Sequence, residues 1–239
     1  MKVRIKFQKK GAIRFIGHLD VMRYFQKAMR RAEIDIAYTS GFSPHQIMTF
    51  AAPLGVGLES NGEYMDIECN SVTDSADMAE RLNKVGVEGL KVLDVKLLPD
   101  HAGNAMASVA AASYTIRFRE GREPVIDLEE CVSSFLKKKE VFITKETKTG
   151  IHEVNIRPGI YRMACPEDGI IYMMVDASSA GNLKPVKIME ALLAENGEIL
   201  AENALLITRE DVFTNTGNEE TPIFTSMNEI GCVIPGSSK

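Results

Sequence analysis

Four sets of side chains could do chemistry. His18 opens a segment whose spacing predicts a helix to about Glu33. A helix N-terminus disfavours imidazolium, so the ring should be neutral near pH 7 and able to act as a general base toward a ribose hydroxyl. The plainer alternative is a helix-entry residue whose ring bonds to a neighbouring turn. Further along, Arg23, Lys27, Arg30 and Arg31 fall at i, i+4, i+7 and i+8. That spacing gives one positive stripe away from the apolar one, and such a stripe can track a phosphate backbone. Ahead of the helix, Lys2, Arg4 and Lys6 alternate with Val3, Ile5 and Phe7. Period two puts the cations on one face of a strand and the apolar residues on the other. Either cationic set would also suit a solvated surface.

The last set lies in turns. Tyr38 to His45 and Pro53 to Ser60 carry Gly41, Gly55 and Gly57. Glycines there permit close backbone approach, and successive N–H groups with His45 could cradle an anion. The segments match neither a P-loop nor a dinucleotide fingerprint. Tyr24, Tyr38 and Phe42 are candidates for stacking bases. Arg157, before Pro158, could grip a phosphate or carboxylate in bidentate fashion, or serve as an interdomain ion pair.

The charge distribution decides how these sets are weighed. Residues 1–50 hold ten Lys/Arg against three acids, a net +7, while the remaining 189 residues hold 18 against 30, a net −12. A chain with a pI near 5.5 would ordinarily be a poor partner for nucleic acid. A local field, not the total, attracts a polyanion. Cys69, Cys131, Cys165 and Cys232 form no CxxC pair, and the four histidines lack ligand spacing. A zinc ribbon, a redox pair or a radical-SAM cluster triplet is therefore not expected, nor any metal or cofactor. No apolar run approaches the ~20 residues that span a bilayer, and the charged start does not resemble a secretion signal. A cytoplasmic protein without membrane contact is the expectation.

The elements that must position these groups read as α+β. Residues 1–100 predict strand, helix, two or three strands, helix, strand, with Leu19, Met22, Phe25, Met29 and Ala32 as the core stripe of the first helix. That order is the split βαβ, ferredoxin-like arrangement. After a small-residue linker the pattern recurs over 112–212, giving two tandem ferredoxin-like domains. A hairpin turning at Thr147–Gly150 and a helix entered at Pro185 belong to the second. Residues 213–239 read as a polar C-terminal tail.

The opening third carries a resemblance. Gly17-His18-Leu19-Asp20, Arg30-Arg31-Ala32, Gly41-Phe42-Ser43-Pro44-His45 and the stretch from Pro53-Leu54 to Glu63-Tyr64 resemble the radical-SAM-linked bacterial domain of unknown function. Asn155-Ile156-Arg157-Pro158 is similar to a later element of it, with Asn155 where an acid is usual and Gly17 where Ser is usual. The resemblance implies a partner domain of cobalamin-binding-type radical SAM proteins. A weaker likeness runs to CRISPR repeat-processing endoribonucleases, which use tandem ferredoxin-like domains and often an early-helix His. Together these give the expected function: a noncatalytic RNA-binding partner in tRNA or rRNA modification. The alternatives are an adaptor docking a radical SAM enzyme and a metal-independent endoribonuclease using His18.

Overall fold

The structure, a computed structural model, describes residues 1–147 and 150–236 of the chain. The fold is α+β, and the chain divides into two compact units, Met1–Ala110 with Asp211–Lys239, and Ala111–Glu210.

In the first unit, β1 (Lys2–Lys9) is a central strand. It pairs antiparallel with β3 (Glu59–Glu68) on one side and β4 (Leu90–Leu97) on the other, and β2 (Met48–Phe50) pairs antiparallel with the far edge of β3. The neighbour order is thus β4-β1-β3-β2. Helices α1 (His18–Arg31) and α2 (Ser75–Lys84) supply the apolar face that covers this sheet. Val3, Ile5 and Phe7 pack with Val21, Phe25 and Met29, and Phe7 meets Phe25 edge-on at 4.7 Å.

The core stripe of α1 differs from the sequence expectation. Val21, Phe25, Ala28 and Met29 are buried, while Leu19 is 59% exposed. At about 100° per residue, Leu19 lies some 160° around the helix from Val21, on the side of Arg23 and Arg30. Its apolar type suggested the core; its phase places it outside.

The segment after 212, read above as a polar tail, builds into the first unit, although residues 237–239 lie outside the described residues. Strand β11 (Phe224–Ser226) pairs with Phe213–Asn215, Cys232 exchanges backbone hydrogen bonds with Leu97, and the Ile234 amide donates to Ser75 Oγ at 2.8 Å. Its polarity is used internally, through backbone and side-chain bonds.

The second unit places β5 (Ala111–Phe118) between β9 (Ile170–Asp176) and β10 (Leu205–Asn215), with β8 (Ile160–Glu167) outside β9. The boundary between the units falls within β10. Helices α3 (Leu128–Lys137) and α4 (Pro185–Glu195) cover this unit's core around Phe135, Met173, Ile188 and Leu192. The α3 N-terminus is capped by Asp127, whose carboxylate accepts from the Glu130 amide at 2.9 Å. A separate hairpin, β6 (Phe142–Thr147) with β7 (Gly150–Asn155), precedes β8. Of its expected Thr147–Gly150 turn, Lys148 and Thr149 lie outside the described residues.

Candidate functional site

The two cationic sets of the first unit have different surroundings. On β1, each cation faces an acceptor built into the same unit. The register sets Lys2 against Glu68, Arg4 against Asp66 and Lys6 against Tyr64. Arg4, 3% exposed, makes a bidentate pair with Asp66 at 2.8 and 2.9 Å and donates to the Met227 carbonyl at 3.2 Å. Lys6 lies 3.4 Å from Asp211 and over the Tyr64 ring. Lys2 donates to the carbonyls of Ala102 and Gly103.

Asp211 accepts from Tyr64 Oη and from Ser226 Oγ, the latter at 2.7 Å. Burial, then the adjacent Asp211 charge, pushes the Tyr64 phenol far above its ordinary value, so it stays a donor. The strand face that could have met an anion or solvent is therefore occupied by Asp211, Ser226 and Met227 of its own chain, with the carbonyls of Ala102 and Gly103 at Lys2.

On α1 the cations point outward. Arg23, Lys27, Arg30 and Arg31 are all exposed. Arg23 has, among the described residues, the single i, i+3 partner Asp20 at 3.2 Å, and both side chains are largely in solvent. Among the described residues, Lys27, Arg30 and Arg31 have no carboxylate within 4 Å. The helix is held by its ends. Asp20 in the first turn and Arg30 and Arg31 in the last suit the macrodipole, and the Arg81 guanidinium from α2 donates to the carbonyls of Ala32 and Glu33. Glu33 sits at φ 53°, the left-handed turn that stops the helix.

Two loops flank this face. The Tyr38–His45 loop is closed at its base by the Tyr38–Gln46 bridge and by Thr39, whose hydroxyl meets both the amide and Nδ1 of His45 at 3.1 Å. Gln46 fastens the loop to the helix by donating to the Gln26 carbonyl. Phe42 is fully exposed at its tip, and Tyr38 is half exposed. At the helix entry, the Gly57 amide donates to the Arg14 carbonyl at 2.8 Å, and Arg14 pairs with Glu59. Phe15, above the Arg14 guanidinium, is 61% exposed.

His18 lies at the rim of a crevice lined by Phe7, Lys9, Val21, Phe50, Pro53, Leu54 and Glu63. Its ring stands edge-on to Phe50 at 5.0 Å. Burial, then the Lys9 charge, lowers its pKa from 6.5, so the imidazole is neutral at pH 7. The cavity is ≈ 10 Å³, at the lower limit for one water molecule. A ribose does not fit it. Lys9, 2% exposed, ties the turn beneath His18 by donating to the Ile16 carbonyl at 2.8 Å.

In the second unit, Arg157 donates to the carbonyls of Leu136 and Ile160 at 2.9 and 3.1 Å. One of its donors thus closes the end of α3 and another holds the start of β8. The structure brings Arg23, Lys27, Arg30 and Arg31 together on one open face. His45 is fastened within a flanking loop. Lys2, Arg4 and Lys6 share a face that is occupied.

A family model described as "Uncharacterized protein conserved in bacteria (DUF2344)" matches residues 2–185. The chain belongs to the DUF2344 family. A search among curated proteins found no match. The DUF2344 match includes the α1 face, both flanking loops, the His18 crevice and Arg157, whereas Asp211, Ser226 and Met227, which occupy the β1 cations, lie beyond it.

Within this DUF2344 chain, sequence reasoning missed Lys9 and Glu63 as crevice residues. For Lys9 the signal was present, since Val3, Ile5, Phe7 and Lys9 share one strand phase; Glu63 comes opposite Phe7 only through the β1–β3 register. A charged residue in core phase requires a partner inside. Among the described residues, no group of three or more His, Cys, Asp or Glu could hold a metal ion, and no helix is long and apolar enough to cross a membrane.

Proposed function

We propose that this protein binds RNA of the tRNA or rRNA class, without cleaving it, through the outward face of α1 and the Tyr38–His45 loop. The observation that carries this reading is the set Arg23, Lys27, Arg30 and Arg31, exposed on one helix and nearly free of competing carboxylates. Such cations release counterions when they meet phosphates, which supplies affinity without sequence preference. Phe42 and Tyr38 add rings on which unpaired bases can stack. A crevice of one-water size beside His18 supports binding without cleavage. The enzyme served is proposed to be of the radical-SAM class, on the sequence resemblance alone.

The ferredoxin-like reading of each unit belongs to the same proposal. The order β4-β1-β3-β2 in the first unit and β10-β5-β9-β8 in the second support it, since both place the first strand beside the last and the third.

The test is a filter-binding titration of bulk tRNA and rRNA fragments over a salt series. Binding at low salt should weaken log-linearly as salt rises, with a slope of roughly −0.7 to −0.9 per phosphate neutralised. No binding at low salt, or binding indifferent to salt, overturns the proposal. Leu19 and Phe15, exposed beside the cations, favour a second reading as a protein adaptor. On that reading RNA fails to bind, while an acidic partner enzyme is captured and released by Arg23→Glu.

A further inference from the structure

The second unit contains an unassigned cavity of ≈ 770 Å³, well inside the range of small-molecule sites. It lies between the β6–β7 hairpin, the 179–184 loop and the start of α4. Its apolar wall is Ile143, Ile151, Val154, Ile156 and Leu183. Ile143 and Val154 face each other across the hairpin, so the wall is continuous over both strands.

Ile156 and Ile143 at the base of this wall pack with the second unit's core, while the outer part of the hairpin stays in water. Ile151 is 73% exposed and Val154 38%, an arrangement that leaves apolar area in water. Among the described residues, the charged lining of the cavity is one-signed: Lys145, Lys184 and Lys187 line it, and no carboxylate does. Lys187 reaches Glu190 at 2.6 Å, both on the surface of α4; among the described residues, Lys145 and Lys184 make no ion pair. The first turn of α4 carries no acidic residue to satisfy the positive end of its dipole.

The geometry points to a binding site for a small anionic amphiphile: an aliphatic body along the hairpin wall, and a phosphate or carboxylate head at Lys145, Lys184 and Lys187. Two features select this class over nucleotides. Among the described residues, no aromatic ring on which a base could stack lines the cavity, and the polar lining besides lysine is Thr144, Ser179 and Asn182. The site lies apart in sequence from the α1 face, and neither depends on the other.

The experiment is isothermal titration of the full chain with octyl phosphate, octanoate, octanol and inorganic phosphate, all below any micelle concentration. Octyl phosphate or octanoate should bind saturably at one site, with octanol and inorganic phosphate at least tenfold weaker. Lys184→Glu with Lys187→Glu should cut affinity for the anionic probes at least tenfold. Ile151→Asp, at an exposed position that folding does not need, should do the same. Equal binding of octanol, no saturable binding of either anionic probe, or affinity unmoved by these variants overturns the assignment. The tRNA titration reads the other face, so each proposal can fail without the other.

Discussion

The first unit carries two cationic surfaces built from neighbouring stretches of sequence, and they have opposite roles. On β1, Arg4 and Lys6 stand opposite Asp66 and Tyr64, with Asp211 closing the group. On α1, Arg23, Lys27, Arg30 and Arg31 face outward with little to neutralise them. Equal density of positive charge in sequence therefore says little about charge available to a partner. What separates the two is whether the fold delivers an acceptor. A buried cation needs one to be tolerated at all, whereas an exposed one is solvated and can exchange water and counterions for phosphate.

The largest effect should come from breaking the closed face. Arg4→Ala strips the Asp66 carboxylate, 3% exposed, of its guanidinium, and removing one member of such a pair costs about 3–5 kcal/mol. Urea denaturation should show that loss, and Arg4→Met with Asp66→Leu should recover much of it. A loss below about 1 kcal/mol would mean the pair is hydrated and the face less closed than described.

Next comes the open face, read on binding. Arg23→Glu with Arg30→Glu should weaken tRNA binding at least tenfold at low salt and flatten the salt slope by about two phosphates, with stability within about 0.5 kcal/mol of the parent. Lys6→Ala should leave RNA affinity within about twofold, because its charge is already met by Asp211. If Lys6→Ala weakened binding as much as the helix variants, the contrast between the two faces would disappear.

A smaller effect belongs to the covering segment. Tyr64→Phe removes the hydroxyl that donates to Asp211 but leaves Asp211 with Lys6 and Ser226. The expected cost is about 1–2 kcal/mol in denaturant, with RNA binding unchanged.

How far these features could be read from sequence follows the distance between partners. The period-two alternation of β1 was legible, and so was α1 with its stripe of cations. That Tyr64, Asp66 and Glu68 come to lie opposite Lys6, Arg4 and Lys2 follows from the β1–β3 register, which local pattern does not set. What could not be read was the cover. Arg4 meets the Met227 carbonyl 223 residues away, and Lys6 meets Asp211, and no local pattern announces such pairings. Leu19 misled because residue type was weighed above helical phase. The Phe42 loop was legible as a turn from its Gly and Pro, but its attachment through Gln46 to the α1 backbone was not.

His18 gives the smallest effect and marks the edge between the two kinds of surface. Its pKa is lowered from 6.5 by burial and by Lys9. Between 6.5 and the lower folded value, the unfolded chain binds more protons than the folded one. Stability is therefore complete above 6.5 and falls as pH drops through that window. His18→Phe keeps a ring against Phe50 and cannot titrate, so its stability should vary less between pH 7 and 5. NMR titration of the His18 ring should place its pKa below 6.5, and adding tRNA should leave it there, because the proposed contact runs along Arg23, Lys27 and Arg30 and not into the crevice. A rise on adding tRNA would put phosphate beside the imidazole and move the boundary of the open face inward, onto His18 itself.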